Sequence, residues 1–215
     1  MYEQNSMAVL FDFDGVVMDT ETQYSRFWHQ IGVEYLGMDN LEGQIKGQTL
    51  TYIYNTFFDS LRDKQPEITA RLNRFEQEMS YDYVPGLPQF VAELRGKGVR
   101  TAVVTSSNEQ KMSAVYRVHP EVREWFDRIL TADMFSRSKP APDCFLMGME
   151  LLGATPQTTY VFEDSFNGLK AGMASGSTVI GLATTNDRHS ISPLCHCVID
   201  DFQDFTYEKM RLVNK

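Results

Sequence analysis

Asp12 and Asp14 stand one residue apart at the end of the apolar run Ala8-Val9-Leu10-Phe11, and Gly15 follows at once. On a strand, residues two apart point to the same side. Two carboxylates held that way repel one another unless a positive charge lies between them, so a bound cation is the economical explanation. A solvated pair of turn aspartates is the alternative. A second acidic pair, Glu163-Asp164, closes the strand-like stretch 159–162. Oxygen-only donors favour Mg2+ over softer ions. The same pair also suits the acidic start of a helix that begins at Ser165. Thr105 and Ser106 end another apolar run. Their hydroxyl and backbone N–H, beside a helix N-terminus, suit an anionic oxygen or a plain helix cap. Lys139, fixed in front of Pro140, is either a point charge for an anion or an ordinary loop lysine.

The elements that must position these groups are readable from the apolar pattern. The first run has no polar alternation, as in a strand buried on both faces of a parallel sheet, where ligands bind at the carboxyl ends of strands. From Val84 onward apolar runs alternate with amphipathic stretches, the pattern of βα units. Helices are expected over 87–94 with Gly96 and Gly98 as stops, over 109–118, and over 143–152 with Gly153 as closure. Strands are expected over 100–105, 128–131, 159–162 and 178–182, with Val198-Ile199 as an edge strand and a last helix from about Phe205. Between Thr105 and Lys139 the spacing leaves room for one helix and one strand. Residues 19–83 differ. They carry helical periodicity, the aromatics Tyr24, Phe27, Trp28, Tyr35, Tyr52, Tyr54, Phe57 and Phe58, and no buried-strand run. This segment reads as a helical bundle inserted after the first strand, its aromatics forming a core of their own rather than a substrate box. The fold class is α/β, a Rossmann-like parallel-sheet core with an inserted α-helical cap.

Asp12-Phe13-Asp14-Gly15-Val16 resembles the opening motif of the haloacid dehalogenase superfamily, and Thr105-Ser106, Lys139-Pro140 and Glu163-Asp164-Ser165 match its later motifs in order. The resemblance spans nearly the whole chain and is nearest to the C1-capped phosphatases and β-phosphoglucomutase-like enzymes. It implies a catalytic core of residues 1–18 and 85–215 and a helical C1 cap of residues 19–84. It also implies phosphoryl transfer through a covalent intermediate, which needs a carboxylate nucleophile, a charge-neutralising cation and an acid for the leaving oxygen. By that resemblance Asp12 is nucleophile and metal ligand. Asp14 is general acid and base, with its backbone carbonyl as a further metal contact. Glu163 and Asp164 complete a Mg2+ site, and Thr105, Ser106 and Lys139 hold the phosphate. Lys46-Gly47 resembles the cap loop that reads the substrate in related enzymes, with a surface turn as the alternative.

An aspartate at position 14 separates the chain from the dehalogenases, which act on carbon centres and lack it. In the mutases, a cap histidine and an arginine after the Lys-Gly pair hold a second phosphate. This chain has Tyr24 and Gln48-Thr49-Leu50 there. The resemblance therefore implies a Mg2+-dependent phosphohydrolase of a small phosphorylated metabolite, a sugar phosphate foremost. A β-phosphoglucomutase-type mutase is the alternative. A non-catalytic phosphometabolite sensor is a third reading, disfavoured because it has no need of both aspartates.

The 215 residues suit one catalytic domain with a small accessory one. A net charge of −9 argues against nucleic acid or an anionic membrane as partner, and leaves an anionic substrate dependent on local positive charge. No apolar run has transmembrane length, and residues 1–6 are short and polar, unlike a signal peptide. Cys144, Cys195 and Cys197 fit no disulfide framework. Cys195-His196-Cys197, a soft-metal cluster by residue type, is tightly spaced for one tetrahedral ion and lacks a second ligand pair, so an apolar strand with reduced thiols is the favoured reading. A cytoplasmic monomer is the expectation.

Overall fold

In the computed structural model, which describes residues 7–213, the strand β1 (Ala8–Phe11) lies inside a six-stranded sheet with all four residues buried. The stretch 1–6, on which the signal-peptide reading falls, lies outside the described residues. After β1 the chain turns through Asp12 to Met18 and enters α1 (Glu21–Ile31). A π-turn over Gly32–Leu36 leads to α2 (Leu41–Ile45), α3 (Leu50–Phe57) and α4 (Gln65–Glu78). These helices share an apolar cluster that includes Phe27, Trp28, Ile31, Leu41, Ile53, Phe58, Ile68 and Leu72. The outgoing and returning connections run side by side. Val84 donates its N–H to the Val17 carbonyl at 3.1 Å, and Asp19 to that of Asp82 at 2.8 Å.

From there helices and strands alternate: α5 (Leu87–Gly96), β2 (Arg100–Val104), α6 (Glu109–Val118), α7 (Val122–Trp125), β3 (Arg128–Leu130), α8 (Asp143–Leu152), β4 (Thr159–Glu163), α9 (Phe166–Ala174), β5 (Thr178–Leu182), α10 (Arg188–Ile191), β6 (Cys197–Ile199) and α11 (Tyr207–Arg211). The strand order is β3-β2-β1-β4-β5-β6 and every pairing is parallel. Such a sheet needs cover on both faces, and the two-residue period of β1 supplies it. Val9 and Phe11 join the cluster under α5, α6 and α11, where Phe11 stacks on Phe162 with ring centroids 5.1 Å apart. Ala8 and Leu10 join the opposite cluster under α8 and α9.

The helices over 109–118 and 143–152 and the strand over 178–182 fall where the sequence puts them, because their ends carry local chemistry. The Asn108 side chain accepts from the Lys111 N–H at 2.9 Å, and Gly153 closes α8 in the left-handed conformation. The interval between Thr105 and Lys139 holds more than one helix and one strand. The short α7 forms there as well, with Val122 buried against the α6 side of the sheet. Among the described residues no helix is long and apolar enough to cross a membrane. The three cysteines are free thiols, and the His196 ring nitrogen Nδ1 accepts from the Val179 N–H at 2.9 Å, a sheet-edge role.

Candidate active site

The strand order reverses on either side of β1, and ligands of open α/β sheets bind at the carboxyl ends beside that switch. Pairing of Phe11 with Phe162 in parallel register places Asp12 next to Glu163 at that point. Asp12 donates its backbone N–H to the Phe162 carbonyl at 2.9 Å, which fixes its Cα although β1 has ended. Between the two carboxylates lies the Lys139 ammonium, fully buried. It donates to Asp12 Oδ1 at 2.6 Å, Glu163 Oε1 at 2.7 Å and the Val104 carbonyl at 3.2 Å. An ordinary loop lysine would sit in water. Burial alone works against this ammonium, but Asp12 and then Glu163 outweigh it and raise its pKa above the usual lysine range. Burial likewise pushes Asp12 up to about 7, with Lys139 pulling it down and Glu163 adding to the rise.

Glu163 is oriented from its other oxygen. Oε2 accepts the backbone N–H groups of Asp164 at 2.9 Å and Ser165 at 3.0 Å, so this carboxylate does cap the entry to α9 as well as meeting Lys139. Asp12, Glu163 and Asp164 each offer a carboxylate oxygen within 4.8 Å of the others, and all three residues are buried. Asp164 Oδ2 is buried without a well-formed hydrogen bond, as is the adjacent Thr185 hydroxyl. Burial, then Glu163 and Glu21, hold the Asp164 pKa well above the ordinary carboxylate value. Three hard oxygen donors, one of them orphaned, suit a divalent hard cation. Gly15 makes room for this arrangement. It has φ +77°, and a Cβ there would sit 2.1 Å from Asp164 Oδ2.

Asp14 is elsewhere. Because β1 ends at Phe11, strand alternation does not carry through to residue 14, and the turn takes its carboxylate aside. The expectation that the two aspartate side chains share one cation is therefore corrected: the positive charge beside Asp14 is the ammonium of Lys111. Asp14 also accepts from the Thr20 hydroxyl and, at 3.0 Å, from Ser107 Oγ. Its side chain is not part of the three-carboxylate cluster.

Thr105 is buried at the tip of β2, where its hydroxyl accepts from the Ser107 N–H at 3.0 Å. Ser106 donates through Oγ to the Gly47 carbonyl at 2.9 Å, a contact to the helical segment. Asn167 of α9 donates to the Lys46 carbonyl at 3.0 Å. Gly47 has φ +74°, and a Cβ on it would come within 2.4 Å of Ser165 Oγ. Thus the Lys46-Gly47 turn is no free surface turn but is seated on the strand tips, with Lys46 Nζ 3.9 Å from Glu21. A cavity of about 760 Å3 lies between the two regions, lined by Asp12, Asp14, Lys139 and Asp164 on one side and by Glu21, Tyr24, Lys46 and Gln48 on the other. Phe27, Trp28 and Phe58 belong to the core of the helical segment, as expected, although Trp28, Tyr24, Tyr52 and Tyr54 also reach the cavity.

A family profile described as haloacid dehalogenase-like hydrolase matches residues 9–182. The chain belongs to this family. Among curated relatives of these hydrolases, the fructose-1-phosphate phosphatase YqaB of Escherichia coli is 28% identical over 184 residues, covering 84% of this chain and 97% of its own. The chloroplastic protein SUPPRESSOR OF QUENCHING 1 of Arabidopsis thaliana is 30% identical over 188 residues. That match covers 83% of this chain, which spans only 18% of the Arabidopsis protein. A β-phosphoglucomutase structure from Clostridium difficile shares the fold of this hydrolase, with a TM-score of 0.79 at 18% identity over 96% of each chain.

Sequence reasoning missed Lys111 and Glu21. Thr20 and Ser107 stand in the motif segments that the sequence singles out, and the structure adds that both donate to Asp14. Lys111 had no local signal, since one lysine on an amphipathic helix ordinarily faces water.

Proposed function

We propose that the chain is a Mg2+-dependent phosphomonoesterase that hydrolyses a small phosphorylated metabolite of the sugar-phosphate class through an aspartyl-phosphate on Asp12. The observation that carries this reading is the different surroundings of the two aspartate side chains. Asp12 sits in a buried cluster of carboxylates and one ammonium, while Asp14 faces the same cavity outside that cluster. YqaB, by its name a phosphatase of a sugar phosphate, supports the substrate class.

In this reading Asp12, Glu163 and Asp164, with the Asp14 carbonyl, would hold Mg2+, which when bound would supply neutralising charge between a carboxylate and a phosphate. An Asp12 carboxylate oxygen attacks phosphorus, and the bond from phosphorus to the ester oxygen breaks. Asp14 gives that oxygen its proton, and the alcohol leaves. Asp14 then takes a proton from water as the water oxygen attacks the same phosphorus. The bond to Asp12 breaks and inorganic phosphate is released. Lys139 keeps Asp12 oriented and, with Thr105 and the Ser106 N–H, contacts the phosphate oxygens. Residues 19–84 act as the cap, with Lys46-Gly47 placed over the leaving group.

A 31P NMR time course tests this with Mg2+ and a panel of sugar and polyol phosphates, repeated after exhaustive chelation. Free phosphate from one or more esters, lost on chelation and regained with Mg2+, is expected. Conversion of β-glucose 1-phosphate to the 6-phosphate without free phosphate would replace the hydrolase reading by the mutase. No turnover of any ester would leave the sensor.

A further inference from the structure

Lys111 is buried to 1% exposure, a costly place for an ammonium unless it is paired. It lies in the first turn of α6 and reaches inward, with Nζ 4.5 Å from the ring centroid of Tyr24 and 5.4 Å from that of Phe13. Both oxygens of Asp14 accept from it, and it donates to Ser107 Oγ at 2.9 Å. Asp14 is thus gripped by three elements: Thr20 before α1, Ser107 after β2 and Lys111 on α6. The grip extends into the helical segment. Tyr24, whose ring lies against the ammonium, donates its hydroxyl to Glu76 Oε1 of α4 at 2.8 Å. Lys111 touches neither Asp12 nor the carboxylate cluster among its hydrogen bonds and ion pairs.

Resting on the phosphatase reading above, we propose that Lys111 is a positioning residue that sets the Asp14 carboxylate for its work on the leaving oxygen. A short aspartate in a turn can swing. A two-oxygen contact from a buried ammonium, itself walled by two rings, removes that freedom in a way that one hydroxyl cannot. Such a residue matters only where Asp14 matters. An alkyl phosphate needs a proton on its leaving oxygen, whereas the stabilised phenolate of p-nitrophenyl phosphate departs without one.

The test compares kcat/KM, which covers the steps up to ester cleavage, for an alkyl phosphate that the wild type hydrolyses and for p-nitrophenyl phosphate. Lys111→Met is expected to lose about 10²-fold on the alkyl ester, the effect of roughly 1 Å of misplacement, and less than about threefold on the aryl ester. Lys111→Arg, which keeps the charge in a different shape, should show the same selectivity at smaller size and carries the test if the methionine variant does not fold. Equal losses on both esters, or none on either, in a variant that folds would overturn the proposal. Asp12→Asn serves as the control on the underlying reading. Should it still hydrolyse either ester, nucleophilic catalysis by Asp12 is wrong and the Lys111 result is read against another mechanism.

Discussion

The strand tips and the helical segment that faces them hold their charges in different ways. At the tips, Lys139 is fully buried and binds Asp12 and Glu163 at 2.6 and 2.7 Å, with Glu163 capped in turn by backbone N–H groups. Across the cavity Lys46 keeps 22% of its side-chain surface exposed and stands 3.9 Å from Glu21. A close, dry pair at the ends of paired strands is fixed before any ligand arrives, as bond-making chemistry requires. The Lys46–Glu21 pair on the helical wall is longer and less completely buried, and so is held less tightly. Under the proposed reading, reaction falls to the tightly paired side of the cavity and selection to the loosely paired one.

That division can be broken most severely at Asp12. Asp12→Asn is expected to lower phosphate release by at least about 10³-fold, since an amide cannot replace the nucleophile. A colorimetric phosphate assay showing more than a small residual rate would place the nucleophile elsewhere. Asp14→Asn should cost about 10²–10⁴-fold on alkyl esters, the usual range for a proton donor, and an unchanged rate would deprive Asp14 of that role. Lys139→Met strips the cation from two buried carboxylates, and a destabilisation of about 3–5 kcal/mol is expected in urea unfolding with chelator present. A loss below about 1 kcal/mol would mean that the tips relax as readily as the helical wall. On that wall, Lys46→Met should shift KM by up to about tenfold with kcat nearly unchanged. A fall in kcat alone would move Lys46 into the chemistry.

The smallest effect concerns Glu21. Burial, then the neighbouring Asp14, raise its carboxyl to about 7 from the ordinary value of 4.5, against the pull of Lys46. A group whose pKa is raised on folding contributes stability that is full below the unfolded value and disappears as the pH climbs through the folded one. Wild-type stability should therefore fall between about pH 4.5 and pH 7 more steeply than that of Glu21→Gln. Parallel urea midpoints across that window would show Glu21 to be freely solvated.

Much of the sheet was legible because its signals are local. An unbroken apolar run gave β1, and Gly153 ended α8. Asp12, Lys139, Glu163 and Asp164 stood out because each ends a strand or loop of recognisable type, and the fold brings the four together. Asp14 was misread in direction, since the two-residue period of a strand says nothing once the chain has turned. Lys111 was illegible in principle. Its burial depends on Tyr24 and Phe13 arriving from other parts of the chain, and no window around residue 111 contains them.

The Lys46-Gly47 turn is joined to the strand tips through two main-chain carbonyls, which accept from Asn167 and Ser106. A seat made of backbone is indifferent to the side chains that ride on it, provided position 47 stays glycine. Thr49 is tied in by its own side chain, whose hydroxyl meets Ser138 Oγ at 2.7 Å, so the positions left open to exchange are 46 and 48. Under the proposed reading, a new preference for substrate can arise at those two by single substitutions while the way the helical segment rests on the sheet is inherited unchanged.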